Sequence, residues 1–205
     1  MEKKKIAILI GNGGRLKTIC EKCPKNAEIV SVISFKKKSK GIDYADDKDI
    51  LNAYFRVSDY TKFEKTRQDL ENELANYLLA LKVNLIVMAG WMLLMSNDFL
   101  QKFPMKVINI HPALNPAFPG AHGVEDAFEY GAKVTGATVH FVPDNGVDSG
   151  PIIIQKATEI LQRDTLISVT NKIHAIEEEI LPQAIEWFCN EQLEICGKRV
   201  KIMKK

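Results

Sequence analysis

The sequence Lys5-Ile-Ala-Ile-Leu-Ile10 runs directly into Gly11-Asn12-Gly13-Gly14 near the start of the chain. A short apolar run that ends at glycines is typical of a buried parallel strand. Glycines allow the backbone to turn its N–H groups inward, and the start of a following helix adds partial positive charge. This glycine loop therefore suits a phosphate group, and a tight turn without a ligand is the alternative.

From this loop onward, strand-like and helix-like segments alternate along the chain. We expect strands over 28–35, 54–57, 85–89 and 106–110, and helices over 15–23, 62–82 and 96–103. Thr61 and Glu64 have the spacing of a capping box in front of the 62–82 helix. Such alternation predicts a Rossmann-like α/β fold, a mostly parallel twisted sheet with helices on both faces. Ligands then collect at the carboxyl ends of the strands.

The pattern changes after Tyr130. Residues 136–142 and 151–158 predict two antiparallel strands around a polar turn, a long helix follows over 165–190, and residues 193–202 predict a terminal hairpin. We expect one domain over 1–205, with a phosphate-binding half over 1–110 and a catalytic half over 111–205.

The composition is that of an ordinary globular protein, with 46% hydrophobic residues, 26% charged residues and a formal net charge of +2. This balance does not favour nucleic acid or a membrane as a partner, and lysine runs such as 36–38 predict solvent-exposed segments. Without a long apolar run or a leader, we expect a cytoplasmic protein, either a monomer or a homodimer. The lone Cys20–Cys23 pair lacks the second pair of a zinc ribbon.

Two polar segments carry most of the chemical information. Asn109 and His111 alternate along the end of a strand, so both side chains point to one face, and Pro112 ends the pairing. Together they offer a fixed hydrogen-bond donor and a group that titrates near neutral pH. Asp148 precedes the next strand within a turn, where it is either a turn former or a functional carboxylate.

Other features leave alternatives open. The apolar residues 91–95 follow a strand and either line a pocket for a flat ring or belong to the core. Glu177 lies at the edge of the apolar stripe of the last helix and either binds a ligand or turns to solvent. His122 and His140 have no ligand spacing to His111 or to acidic residues, so we expect no metal.

Taken together, these segments resemble the folate-dependent phosphoribosylglycinamide formyltransferases of purine synthesis over nearly the whole chain. The resemblance is carried by residues 109–120 (NIHPALNPAFPG), 135–140 (TGATVH) and 148–153 (DSGPII). It implies transfer of a formyl group from 10-formyltetrahydrofolate to the amine of glycinamide ribonucleotide, with no metal, nucleic acid or membrane involved.

The resemblance also implies roles for individual residues. Asn109, His111 and Asp148 are the expected catalytic trio. The expected contacts are Gly11, Asn12, Gly13 and Gly14 for the substrate phosphate; Gly90, Met92, Pro112 and Glu177 for the rest of the acceptor; and Trp91, Met92, Leu93, Leu94, Met95, Asn109, His140, Val142 and Asp144 for the folate.

The sequence departs from the usual pattern of these enzymes at a few positions, none of them in the trio. Gly14-Arg15 stands in place of a Ser-Asn pair, Leu93 in place of an arginine, Glu178 in place of a histidine and Asn115 in place of a leucine. A formyl-folate hydrolase shares the trio but has an added N-terminal domain, for which we expect no room before Lys5. Another formyl-folate-dependent transferase, or a non-catalytic sugar-phosphate-binding module, is a further alternative.

Overall fold

The computed structural model describes residues 2–62, 65–143 and 148–203, and the chain forms two compact units, Met1–Ile108 and Asn109–Lys205. A single domain over 1–205 stays a prediction. The first unit contains strands β1 (Lys4–Ile10), β2 (Ala27–Ser34), β3 (Asn52–Tyr54) and β4 (Leu85–Ala89), and helices α1 (Leu16–Glu21), α2 (Lys40–Asp47), α3 (Val57–Thr61), α4 (Arg67–Ala80) and α5 (Asn97–Leu100).

Strand β1 holds the sheet of the first unit together. It pairs in parallel with β2 on one side and with β4 on the other, and β2 pairs in parallel with β3. Residues 6–10 of β1 and 85–87 of β4 are 0% exposed. A strand with a neighbour on each side and no solvent-exposed face needs a continuous apolar run rather than an alternating pattern. The predictions for these two strands are therefore confirmed.

The sequence prediction was wrong between β3 and α4. The strand spans Asn52–Tyr54 rather than 54–57, and Val57, the last residue of the expected strand, begins the short helix α3. The capping box that starts α4 is formed by Thr66 and Asp69, whose side chains bond reciprocally to each other's backbone N–H groups. The predicted pair, Thr61 and Glu64, has the same spacing, and Glu64 lies outside the described residues. Because the spacing occurs twice, it does not by itself locate the start of the helix.

The chain passes from the first unit to the second within β5 (Val107–His111). The second unit continues with α6 (Gly123–Glu129), β6 (Val134–Phe141), β7 (Ile152–Glu159), α7 (Leu166–Cys189), β8 (Leu193–Cys196) and β9 (Arg199–Ile202). Strands β6 and β7 are antiparallel, and β8 and β9 form the expected antiparallel hairpin. The fold is thus mixed α/β, with a mostly parallel sheet and antiparallel strands near the C-terminus, as predicted.

Helix α7 begins where the sequence indicated, with Thr165 as its cap and a reciprocal bond from Ser168. Its predicted apolar stripe is buried, at Val169, Ile173, Ile176, Ile180 and Ala184. Glu177 is only 2% exposed, so it does not turn to solvent. Over the part of the chain that the structure describes, no helix is both long and apolar enough to cross a membrane.

Besides α3, two further short helices, α2 and α6, were not expected from the sequence. Helix α6 begins at Gly123 after a residue whose side chain makes no capping bond, so the sequence carries no start signal there. Helix α2 is capped by Ser39 but buries only Gly41 and Ala45. The helix is only eight residues long and its buried residues are small, so its apolar stripe is too short to reveal a helix.

Gly136 in β6 provides a test of the pairing with β7. A Cβ atom at this position would lie 2.1 Å from the carbonyl oxygen of Lys156 and 2.9 Å from Cα of Ala157. Because backbone cannot retreat without breaking the ladder, we expect Gly136→Ala to lower the free energy of unfolding by about 3 kcal/mol in urea denaturation. Gly14→Ala is the control, since a Cβ there meets nothing within 4 Å. Equal stability of the two variants would contradict this account.

Candidate active site

The second unit brings the predicted trio together. Asn109 and His111 lie on the same face of β5, and Asp148 comes from the segment that precedes β7. Asn109 Nδ2 lies 3.4 Å from Asp148 Oδ1, and His111 Nδ1 lies 3.4 Å from Asp148 Oδ2. The side chains of His111 and Asp148 are only 3% and 10% exposed. A carboxamide, an imidazole and a carboxylate therefore meet in a largely buried site.

His140 on β6 joins this group as a fourth side chain. Its Nε2 lies 3.4 Å from Asp148 Oδ1 and 3.4 Å from Asn109 Nδ2. Its Nδ1 lies 2.8 Å from the carbonyl oxygen of Phe141, so Nδ1 carries a proton and donates it. The sequence suggested only a folate contact for His140. A histidine within a buried strand requires a polar partner, and that was the available signal.

Both ring nitrogens of His111 face hydrogen-bond acceptors. Nε2 lies 2.8 Å from the carbonyl oxygen of Phe118, and Nδ1 faces the carboxylate of Asp148. A carbonyl and a carboxylate are both best satisfied by an imidazolium ring that donates from both nitrogens. The ring also packs closely against the first residue of α6, because a Cβ at Gly123 would lie 3.3 Å from His111 Cε1.

The backbone around Asp148 shows that it is more than a turn former. Its carboxylate accepts a hydrogen bond of 3.0 Å from the backbone N–H of Gly120, 28 residues earlier in the chain. Its own carbonyl accepts one of 2.8 Å from the side-chain amide of Asn115. Its φ angle of 49° lies in the left-handed region, which is uncommon for an aspartate. A turn former would bond to its own turn, whereas this carboxylate bonds to distant segments.

The pKa of Asp148 lies below the ordinary aspartate value of 3.8. Burial alone would raise this pKa, but the hydrogen bond with His140, the N–H of Gly120 and the charge of His111 together outweigh it. The carboxylate is therefore ionised at neutral pH, where it can accept a proton or hold a donor.

The loop that carries Phe118 and Gly120 is tied to β6 by a buried network that the sequence did not reveal. Asn115 donates its backbone N–H to Thr138 Oγ1 at 3.1 Å, and its carbonyl accepts from Gln155 Nε2 at 2.9 Å. Gln155 also donates to Thr138 Oγ1 at 2.9 Å. These partners lie on different strands, so no local sequence pattern indicates them.

The glycine loop lies in the first unit, directly after β1. The carbonyl oxygens of its first three residues all accept hydrogen bonds. Gly11 O accepts from Ser34 Oγ at 3.0 Å. Asn12 O accepts from the N–H of Gly41 at 3.1 Å, and Gly13 O accepts from the N–H of Leu16 at 3.1 Å. A Cβ at Gly13 would lie 2.4 Å from Cα of Gly41, and the φ angle of Gly13 is 80°. Only glycine fits there.

Residues 91–95 do not all have the same environment. Trp91 is 5% exposed and packs edge to face against Phe35, with ring centroids 5.5 Å apart. Met92 and Leu94 are 54% and 59% exposed. The tryptophan side chain thus belongs to the core, and the exposed side chains of Met92 and Leu94 are accessible to a ligand.

A cavity of about 370 Å³ adjoins this segment within the first unit, lined by Arg67, Gln68, Glu71, Leu94, Met95 and Ser96. Glu71, at 3% exposure, accepts hydrogen bonds from the N–H of Ser96 at 3.0 Å and from Nε of Arg67 at 3.1 Å. The sequence did not indicate this residue. It fastens the end of the 91–95 segment to α4.

The remaining predicted residues are scattered. Val142 and Pro112 are half-buried in the second unit, and Asp144 lies outside the described residues.

Burial, followed by the neighbouring Cys23, raises the pKa of Cys20 to about 11, so this thiol stays protonated at neutral pH. Within residues 2–62, 65–143 and 148–203, no group of three or more His, Cys, Asp or Glu side chains has an arrangement that could hold a metal ion.

Comparison with known proteins gives consistent matches. A family model described as formyl transferase matches residues 4–185. Phosphoribosylglycinamide formyltransferase of Bacillus subtilis is 37% identical over 187 residues, 89% of this chain and 93% of the relative. The enzyme of the same name from Haemophilus influenzae is 35% identical, over 94% and 90% of the two chains. A crystal structure of glycinamide ribonucleotide transformylase 1 from Symbiobacterium toebii matches with a TM-score of 0.92 at 36% identity, over 98% and 95% of the chains.

Replacing His140 tests the electrostatics of Asp148. Among the interactions that lower the pKa of Asp148, the hydrogen bond with His140 is the largest. We expect His140→Phe to raise the pKa of Asp148, because the variant loses the hydrogen bond that counteracts the increase caused by burial. As the pH falls, the variant should therefore lose the aspartate charge at a higher pH than the wild type does. A ¹³C NMR titration of the Asp148 carboxyl measures the change. His122→Phe, at an exposed residue, is the control, and an unchanged midpoint in His140→Phe would show that His140 does not stabilise the charge.

Proposed function

The chain belongs to the formyl transferase family, and we propose that it transfers the formyl group of 10-formyltetrahydrofolate to the amine of glycinamide ribonucleotide in purine biosynthesis. The observation that carries this proposal is the meeting of Asn109, His111 and Asp148 in one largely buried site. A module that only bound a sugar phosphate would have no use for this group. The names of the relatives described above specify the same acceptor.

The reaction makes two demands on the protein. Attack of the amine nitrogen on the formyl carbon forms a new C–N bond and moves negative charge onto the formyl oxygen. Collapse of this tetrahedral species breaks the bond between the formyl carbon and the folate nitrogen. The amine loses one proton, and the departing folate nitrogen gains one. The site must therefore stabilise an oxyanion and move a proton between two nitrogens.

Asn109 and His111 are suited to stabilise the oxyanion. The amide contacts of Asn109 Nδ2, at 3.4 Å to each partner, are longer than ordinary hydrogen bonds of about 2.7–3.2 Å. The amide hydrogens therefore remain available to a stronger acceptor, and an oxyanion is one. Because Nε2 of His111 is committed to Phe118, Nδ1 is the ring nitrogen that can act at the reacting centre.

Asp148 is suited to move the proton. Its lowered pKa keeps it ionised at neutral pH, so it can accept the amine proton directly or through a water molecule. The same carboxylate lies beside His111 and His140, which can return a proton toward the folate nitrogen. The N–H of Gly120 fixes one carboxylate oxygen and so orients the other.

The glycine loop is proposed to hold the phosphate of the acceptor. The carbonyls of Gly11, Asn12 and Gly13 are all bonded to other groups of the protein. These three carbonyl oxygens therefore point to partners within the protein, and the N–H groups of the loop can turn toward the phosphate. The contact at Gly41, which excludes a Cβ at Gly13, holds the loop in this conformation.

The cavity beside α4 is proposed to take the tail of the folate. Leu94 and Met95 give it an apolar wall, and Arg67, whose Nε pairs with Glu71, offers the remaining N–H donors of its guanidinium. The folate tail carries carboxylates, which an arginine recognises well. Arg67 thus supplies a cation in a chain that has Leu93 where an arginine is usual.

The proposed function is tested by incubating the protein with 10-formyltetrahydrofolate, with and without glycinamide ribonucleotide. We expect loss of the formyl donor only when the acceptor is present, together with an equal amount of formylated acceptor, measured by mass spectrometry. Comparable loss in water alone would identify a hydrolase. Binding of the acceptor without any formyl transfer would identify a binding module.

Asn109→Ala tests the oxyanion role. We expect kcat to fall about 100- to 1000-fold, the usual effect of removing one oxyanion donor, while KM for either substrate changes little because the loss is confined to the transition state. Steady-state kinetics measure both constants. Asn52→Ala on β3, where the side chain bonds to Asp46, is the control and should retain normal turnover. A raised KM with normal kcat would make Asn109 a residue that only positions a substrate.

A further inference from the structure

The segment between β2 and α2 is strongly basic. Residues 36–40 comprise four lysines and Ser39, with no acidic residue among them. Lys36, Lys37, Lys38 and Lys40 are all exposed, and none of the four forms an ion pair with another described residue. Four like charges in five residues repel one another, so their crowding favours a role in which an anion neutralises them.

The start of this segment is fastened to the start of the glycine loop by one buried hydroxyl. Ser34 Oγ donates to the carbonyl oxygen of Gly11 at 3.0 Å and accepts from the backbone N–H of Lys36 at 3.0 Å. Ser34 is 0% exposed. The first lysine therefore leaves the sheet directly beside the first residue of the loop.

The end of the segment is pressed against the middle of the same loop. The N–H of Gly41 donates to the carbonyl of Asn12 at 3.1 Å, and a Cβ at Gly41 would lie only 2.9 Å from Cα of Gly13. Ser39, which is 4% exposed, caps α2 by accepting from the N–H of Ile42 at 3.2 Å. One end of the lysine segment is thus fixed to the loop through the Ser34 hydroxyl, and the other end through backbone contacts of Gly41.

We propose that the lysine segment, residues 36–40, is the second half of the phosphate site and attracts the phosphate dianion of the acceptor to the glycine loop. The inference rests on the proposed function and adds to it the source of charge that selects a phosphorylated acceptor. The loop N–H groups supply directional hydrogen bonds, and the lysines supply a positive field that acts over about 10 Å at moderate salt. Because the segment is held at both ends, its backbone stays next to the loop and keeps the four lysines in its neighbourhood.

The test compares two triple variants that remove the same charge. K36Q/K37Q/K38Q removes three of the four charges of the segment and leaves Lys40, and K3Q/K25Q/K106Q removes three exposed lysines that precede β1, β2 and β5, at the opposite ends of these strands from the loop. We expect the first variant to lower kcat/KM for glycinamide ribonucleotide about tenfold at low salt, with kcat within about twofold of wild type. The control variant should stay close to wild type.

Two further measurements test whether the lysines act on the phosphate of the acceptor. With the dephosphorylated acceptor, glycinamide riboside, the two triple variants should have equal kcat/KM, and KM for the formyl donor should not differ between them. The tenfold difference should shrink as salt rises to about 1 M, where the Debye length is about 3 Å. Equal losses in the two variants with glycinamide ribonucleotide, or an equal loss with the riboside, would overturn the proposal.

The same measurements separate this inference from the proposed function. If the wild-type protein prefers the ribonucleotide to the riboside and the lysine variant keeps the whole preference, the proposal for the lysine segment is wrong and the proposal for the loop stands. If the wild-type protein lacks that preference, the phosphate role of the loop is wrong as well. Calorimetric titration with glycinamide ribonucleotide makes the same comparison without turnover, so the lysine segment is tested even if formyl transfer is absent.

Discussion

The carboxylate of Asp148 is the group on which the second unit depends. A largely buried negative charge is costly unless each lone pair finds a donor or a positive partner. Here the partners come from separate segments: the N–H of Gly120 from the loop after β5, Asn109 and His111 from β5 itself, and His140 from β6. Solvating this one charge therefore fixes the positions of three stretches of chain, and the site forms only when the unit is folded.

The glycine loop of the first unit is shaped by a different physical constraint. Asp148 is held by side chains and one backbone N–H. The conformation of the glycine loop depends instead on glycines, because two backbone segments approach too closely there for a side chain. The contact between Gly13 and Gly41 is too close for a Cβ on either residue. The carbonyls of Gly11, Asn12 and Gly13 are bonded to other groups of the protein. The acceptor's phosphate and its amine thus have distinct physical requirements, which the two units are proposed to meet separately.

The sequence alone predicted those parts of the molecule that depend on local pattern. The uninterrupted apolar runs of β1 and β4 indicated buried parallel strands, and the alternation of Asn109 and His111 predicted their common face. It misplaced the start of α4, because two capping spacings lie five residues apart, and it missed α6, which begins without a cap. It also missed the bonds from Gly120 and Asn115 to Asp148, since these span 28 and 33 residues and leave no periodic signal. The folate and acceptor contacts inferred from resemblance stay predictions.

The lysine run shows why exposure alone does not decide whether a charge is functional. From sequence, residues 36–38 predict a solvent-exposed segment, and they are indeed exposed. A charge that attracts a ligand from solution must also be exposed, so this prediction is compatible with both roles. The two roles differ in whether the backbone of the segment is held in place. An ordinary solvated run is free to move, whereas this segment is hydrogen-bonded to the glycine loop through Ser34 at one end and Gly41 at the other. Fixed backbone geometry, rather than the charge count, therefore favours a role for these lysines at the glycine loop.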